Sequence, residues 1–138
     1  MRERVSELSD FDSSFQGAAI AHAEMPFFWR MDDKRCLEGV VDLALFDPDN
    51  NRWFVLDWKT NRIDPDKIDS LRVQYLPQLA AYSKVISETT GAPVTAAIFS
   101  TATGEFVRYQ AGELEKEWTR LKNLPAEEFY SELADEAP

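Results

Sequence analysis

A single cysteine, Cys36, in 138 residues rules out an intrachain disulfide and a multi-thiolate zinc or iron–sulfur site, and fits a reducing compartment. Long apolar runs are also missing. No window approaches the eighteen or so uninterrupted apolar residues of a membrane span. The start, Met1 to Asp12, mixes four acids with two arginines where a signal peptide needs an apolar stretch. The expectation is a soluble, cytoplasmic chain with no membrane partner. Basic residues are scarce too: 15 against 25 acids, for a net charge of −10. Such a field repels nucleic acid and anionic lipid alike, which argues against adhesion through a broad basic surface. The deficit is uneven, because half of it falls in Gly112 to Pro138. The domain by itself should therefore hold DNA weakly.

What is present is enough for one core: 44% of the residues are hydrophobic. The expected domain covers 1–130, followed by an acidic, disordered tail over 131–138 with few large apolar groups. Val5 to Ala23, with Phe11 and Phe15 four apart, reads as a partly formed helix ending before Pro26. AEMPFFWR, Ala23 to Arg30, reads as extended, and Met31 to Arg35 as a polar turn. LEGVVDLALF and RWFVLDWK, Leu37 to Phe46 and Arg52 to Lys59, are apolar runs joined by DPDNN, the pattern of a β-hairpin. Leu71, Tyr75, Leu79, Tyr82 and Ile86 trace a helical stripe, with Pro77 predicting a kink or late start and Gly91 and Pro93 a stop. Strands follow at Val94 to Ser100 and Glu105 to Gln110, and a helix from Glu113 to Leu124. This order predicts an α/β fold, a mixed sheet with helices against it.

Each hairpin strand is apolar on both faces and broken by one acid, Asp42 or Asp57. Period-two alternation sets Asp57 and Lys59 on one face and sends Trp58 to the other. A four-residue turn, Pro48 to Asn51, makes Asp47 face Arg52 and thereby sets Asp42 opposite Asp57, about 5 Å apart. Two carboxylates that close in an apolar sheet repel unless one takes up a proton or both hold a cation. Mg²⁺ or Mn²⁺ fits: two carboxylates, the Trp58 backbone carbonyl, substrate phosphate and water make a hard-oxygen shell. Glu24, in the preceding strand, or Glu38 would add a carboxylate, with Glu24 preferred. Lys59 would orient water or stabilise the phosphoryl transition state, so the chemistry indicated is phosphodiester hydrolysis. Gln78 and Tyr82, four apart on one helix face, supply an amide and a phenol for phosphate, base edge or lysine.

Read together, EGVVDLALF, VLDWKTNR and YLPQLAAY resemble the G-x-x-D, D-[YW]-K-T and Q-x-x-x-Y motifs of the RecB-like branch of the PD-(D/E)XK nucleases. Among these, the nuclease domain of AddA-type helicase–nucleases is most similar. The resemblance spans about Ala23 to Phe99. It implies a restriction-endonuclease-like core, a mixed central β-sheet flanked by helices. It implies Asp42 and Asp57 as metal-binding acids, Lys59 as the catalytic lysine, Gln78 and Tyr82 as the supporting helix motif, and Glu24 as the acid of the early strand. It also implies Mg²⁺ or Mn²⁺, a DNA single strand delivered by an attached ATP-dependent helicase, an AddB-like partner subunit, and a role in double-strand break repair. One departure stands out. The branch carries a metal-associated histidine on an upstream helix, whereas the only histidine here, His22, directly precedes the early strand. A domain that lacks its first helix would account for this.

Each signal has a plainer reading. Asp42, Asp57 and Lys59 would also suit a buried ion-pair cluster. Gln78 and Tyr82 would suit an exposed amide and a packing tyrosine. The aromatics Phe27, Phe28, Trp29, Trp53, Trp58 and Phe99 suit core better than base stacking. Arg62, Lys67, Arg72 and Lys84 suit either a strand-binding path or a solvated face. The rival functions are a catalytically inactive DNA-binding or protein-interaction module of a helicase, and a phosphoesterase acting on something other than DNA.

Overall fold

The two apolar runs on either side of Pro48 to Asn51 close into the expected hairpin, with Asp47 paired to Arg52 across the turn. Asp47 itself holds the turn. Its carboxylate accepts the main-chain N–H groups of Asp49 and Asn50 and the Asn50 amide at 2.8 Å. The structure, a computed structural model, describes residues 20–134.

Strand β1 (Ile20–Arg30) pairs antiparallel with β2 (Cys36–Asp47), and β2 with β3 (Arg52–Lys59). A long helix, α1 (Ile68–Thr90), then carries the chain back so that β4 (Val94–Ser100) lies parallel to β3. Strand β5 (Glu105–Tyr109) returns antiparallel, giving a five-stranded mixed sheet in the order β1-β2-β3-β4-β5. Helices α2 (Ala111–Lys122) and α3 (Ala126–Leu133) follow. No described helix is long and apolar enough to cross a membrane.

Side-chain alternation splits the core between the two faces of the sheet. Val55, Ala96, Ile98, Val107 and Tyr109 face the helices, where they meet Leu71, Leu79, Leu114 and Leu121. Leu43, Leu45, Phe54, Leu56 and Ala97 are buried on the other face, beside Trp58, Phe99 and Phe106. Burial on both faces is why β3 and β4 are apolar at nearly every position.

Helix α1 begins at Ile68, three residues before the first residue of the expected stripe, and passes through Pro77 without ending. Proline removes one N–H, and the carbonyl it strands is that of Val73, an exposed position where water is available. Gly91 closes the helix at φ 72°, its N–H on the Ser87 carbonyl at 2.8 Å.

Three expectations need revision. The helical reading of Val5 to Ala23 fails at its end, because Ile20 to Ala23 already belong to β1; the rest of that segment lies outside the described residues. Helix α3 has no counterpart in the elements expected from sequence. It buries Phe129 against Trp118, ring centroids 6.0 Å apart, because Phe129 sits on the side of a short amphipathic helix that faces α2. Ser131 to Leu133 extend that helix instead of fraying, and Glu132 pairs with Arg120 at 2.7 Å. Residues 135–138 lie outside the described residues.

Candidate active site

Strand β2 runs past the end of β3, so its first half pairs only with β1 and forms a two-stranded arm. The arm docks on the helices through Trp29 against Trp118 and Phe27 against Tyr82, and its tip is tied to α3 where the Cys36 N–H donates to the Tyr130 hydroxyl at 2.9 Å. Where arm meets sheet, alternation slips. Val41 packs on the helix side, and so does Ala44 three residues later, while Leu43 and Leu45 lie on the other face. The facing strand slips at the matching place: pairing holds at Ala23 with Leu43 and at Met25 with Val41, but the Glu24 position between them is unpaired, with Glu24 at φ 51°. A left-handed glutamate inside a strand is uncommon and costs about 1 kcal/mol or more.

The slip falls on the arm side of Asp42, which keeps the alternation of the hairpin. Counted from Val41, strict alternation would turn it away from the helices; counted from Ala44, it shares their side. The β2–β3 ladder ends at Leu43 with Leu56, so one step further on Asp42 faces Asp57. Asp42 Oδ2 accepts the Trp58 N–H at 2.8 Å, and its carboxyl hydrogen-bonds with that of Asp57.

Asp57 is buried, and burial first, then the neighbouring Asp42 carboxyl, push its pKa up to about 7 against the opposing pull of Lys59. One proton is thus held by the acid pair near neutrality. Lys59 is equally buried, its Nζ 2.6 Å from Asp57 Oδ2 and 2.7 Å from Gln78 Oε1. Asp57 and Lys59 reach one face of β3, as period two requires, and Gln78 reaches them from α1. The cluster lies at the carboxyl ends of the parallel pair β3 and β4, where Lys59 is in register with Ser100. Open α/β sheets bind ligands at such ends.

Tyr82 stands one turn beyond Gln78. Its ring meets Phe27 edge-on, centroids 5.2 Å apart, and with Phe27, Glu38 and Gln78 it borders a cavity of about 90 Å³. The Phe27 ring explains why glycine stands at position 39, three residues before Asp42: a Cβ there would come within 3.1 Å of it. The Phe27 ring occupies that space and carries contact on to Tyr82.

The other candidates separate. Glu24 is exposed, and among the described residues no group of three His, Cys, Asp or Glu side chains is placed to hold a metal. His22 stacks near Trp53, centroids 5.6 Å apart. Cys36 is an exposed free thiol. Arg72 is engaged with Glu113, the Arg108 carbonyl and the Tyr109 ring, and Lys84 with Glu88, so these two do not join Arg62 and Lys67 in one open basic path. Phe27, Trp29 and Trp53 pack on the helix-side core, Trp58 and Phe99 on the other, and Phe28 is exposed. Sequence reasoning missed Asn61 and Tyr75, both buried against Lys59's surroundings. The signal existed: Asn61 is two residues past Lys59 and Tyr75 three before Gln78, spacings that share a face.

The family model of the PD-(D/E)XK nuclease superfamily matches residues 1–137. The chain belongs to that superfamily. Its five-stranded mixed sheet with flanking helices is the restriction-endonuclease-like core expected of a PD-(D/E)XK protein. A stretch of 62 residues is 34% identical to one subunit of the ATP-dependent helicase/nuclease of Carboxydothermus hydrogenoformans, covering 45% of this chain and 5% of that protein. The chain thus corresponds to a small part of that relative, and a nuclease-type function follows at the level of the superfamily.

Proposed function

We propose that this domain hydrolyses DNA phosphodiester bonds with Mg²⁺ or Mn²⁺ bound at Asp42 and Asp57. The observation that carries the reading is the pair itself, the half-buried Asp42 carboxyl against the buried Asp57, with Lys59 Nζ 2.6 Å from Asp57 Oδ2. A pair that must hold a proton near neutral pH is a pair whose charge a divalent cation would neutralise instead. The donor set is hard oxygen. Asp42, Asp57 and the Trp58 carbonyl would leave about half of the octahedral shell to water and substrate phosphate, as Mg²⁺ prefers. The exposed Glu24, across the strand pair from Asp42, is the further candidate ligand. Bound there, the cation would supply charge neutralisation at the phosphoryl group and a more acidic water.

The protein's own groups account for the rest. Asp57 and Gln78 hold Lys59 with its ammonium at the edge of the acid pair, where it can donate to a phosphoryl oxygen as negative charge develops. Gln78 and Tyr82 border a common small cavity, which suits contact with a single phosphate or base edge at the end of the strand. The similarity to part of a helicase/nuclease supports a cytoplasmic setting in which an attached ATP-dependent helicase feeds a single strand to the site, with an AddB-like partner and a role in break repair. A net charge of −10 supports the same division of labour, since the domain itself attracts DNA poorly.

The test is cleavage of uniformly labelled linear and circular single-stranded DNA in Mn²⁺, with Asp57→Ala as control. Exonuclease action releases label from the linear form alone. If the wild type neither binds Mn²⁺ nor cleaves, the proposal is wrong, and a non-catalytic DNA- or protein-binding module takes its place. That second reading draws on the lack of a third ligand beside the pair among the described residues.

A further inference from the structure

Two buried residues beside Lys59 have no part in the chemistry above. The Tyr75 ring lies under the ammonium, with Lys59 Nζ 4.0 Å from its centroid. Asn61 clasps the other end of that ring: its Nδ2 donates to the Tyr75 hydroxyl at 3.1 Å, and the hydroxyl donates to its Oδ1 at 3.2 Å. Both residues are buried, so neither bond is shared with bulk water. Lys59 and Asn61 come from one strand end and its continuation, and they hold the same tyrosine by its face and by its hydroxyl.

We propose that Tyr75, locked by Asn61, is a positioning residue that fixes the Lys59 ammonium against the acid pair. A lysine has four rotatable bonds and a compact charge, so two hydrogen bonds to one end leave it room to swing. The ring closes one side of that arc. Its negative face attracts the ammonium, most strongly where water is excluded, and the pair of bonds to Asn61 stops the ring from moving aside. Helical spacing makes the arrangement compact, because Tyr75 and Gln78 are three apart on α1 and address Lys59 from one helix face. The proposal rests on the metal-dependent nuclease reading of the same site for its kinetic consequence, but not for the geometry.

Tyr75→Phe keeps the ring and loses the hydroxyl; Tyr75→Leu keeps apolar bulk and loses the ring. Mn²⁺-dependent cleavage is measured with both, with Asn61→Ala, and with the wild type, alongside melting temperature and Mn²⁺ affinity. Tyr75→Leu is expected to lower kcat by about 10-fold or more with KM for DNA and Mn²⁺ affinity within about twofold, the pattern of a group that acts only in the transition state. Tyr75→Phe and Asn61→Ala, which keep the ring and lose its lock, should each fall between wild type and Tyr75→Leu, about threefold below wild type, with lower stability. The independent readout is the ε-methylene resonance of Lys59 in lysine-labelled protein, which the ring should shift upfield in wild type and Tyr75→Phe and not in Tyr75→Leu. A wild type without metal-dependent cleavage overturns the nuclease reading, and the resonance then decides the placement alone. An unshifted resonance in folded wild type, or a folded Tyr75→Leu with wild-type kcat, overturns the positioning role while leaving the nuclease reading intact.

Discussion

Asp42 Oδ2 takes the main-chain N–H of Trp58 at 2.8 Å, so the first acid of the pair is anchored to the strand that carries the second. Asp42→Asn keeps an acceptor for that N–H and removes the charge. It should stay folded, relieve the upward pressure on Asp57, and weaken Mn²⁺ binding by about 10-fold or more, as loss of one of two carboxylates requires. Calorimetric titration with Mn²⁺ checks this; unchanged affinity would remove Asp42 from the ligand set.

The raised pKa of Asp57 makes stability depend on pH in a definite direction. Folded, the group titrates near 7, against an ordinary value of 3.8. Between those values the native state binds more protons than the unfolded chain, so stability falls as pH rises, with a ceiling of about 4 kcal/mol for the whole interval. The contribution is complete below about 4 and lost as pH passes 7. Melting temperature in chelator should therefore be lower at pH 8 than at pH 5.5, after subtraction of the same difference in Asp57→Asn. Saturating Mg²⁺ should flatten the slope by taking the proton's place.

Lys59→Met should separate charge from volume. It removes the cation nearest Asp57, which then keeps its proton to higher pH because the one lowering influence is gone. The expected result is a folded protein with cleavage reduced by about 100-fold or more, the scale of losing a charge-stabilising donor. Single-turnover kinetics at saturating Mn²⁺ measures it, and retention of more than a tenth of the rate would argue against a chemical role for Lys59.

Glu24→Gly addresses the strained residue in the early strand. At φ 51° a glycine is unstrained, and although its greater unfolded-state entropy offsets part of the gain, metal-free protein should not lose stability and should gain up to about 1 kcal/mol in denaturant unfolding. The loss of Mn²⁺ affinity should be smaller than for Asp57→Ala. An equal loss would promote Glu24 to a full ligand.

Gly39→Ala tests the contact that runs from the arm to α1. The new methyl would press on the Phe27 ring at about 3.1 Å and drive it toward Tyr82, an overpacking that costs about 1–3 kcal/mol. Gly39→Ala combined with Phe27→Leu should recover much of it, since the smaller side chain vacates the space. Thermal unfolding of the single and double variants decides the matter.

Residues close in sequence carry most of what is legible without the fold. The hairpin, its four-residue turn and the facing of Asp42 with Asp57 follow from turn chemistry and period-two counting, and Asp57 with Lys59 from alternation within one strand. Gln78 is recognisable because its helix has a clear stripe and follows the hairpin directly. What escapes are contacts whose partners lie far apart or whose signal is ordinary: Tyr75 looks like one more apolar position, and α3 is too short for its periodicity to stand out.

The order of residues determined by itself the superfamily, the mixed sheet and which acids and lysine form the candidate site, because these depend on local propensity and on spacings within and between neighbouring segments. Only the tertiary structure decided that alternation breaks just beyond Asp42, opposite Glu24, that Glu24 stays outside the pair, and that Lys59 is seated on Tyr75. Those outcomes depend on how strand alternation is broken where the arm meets the sheet and on what α1 presses against β3. No single segment contains both sides of such a contact, and burial, which raises the Asp57 pKa, exists only once the layers have closed.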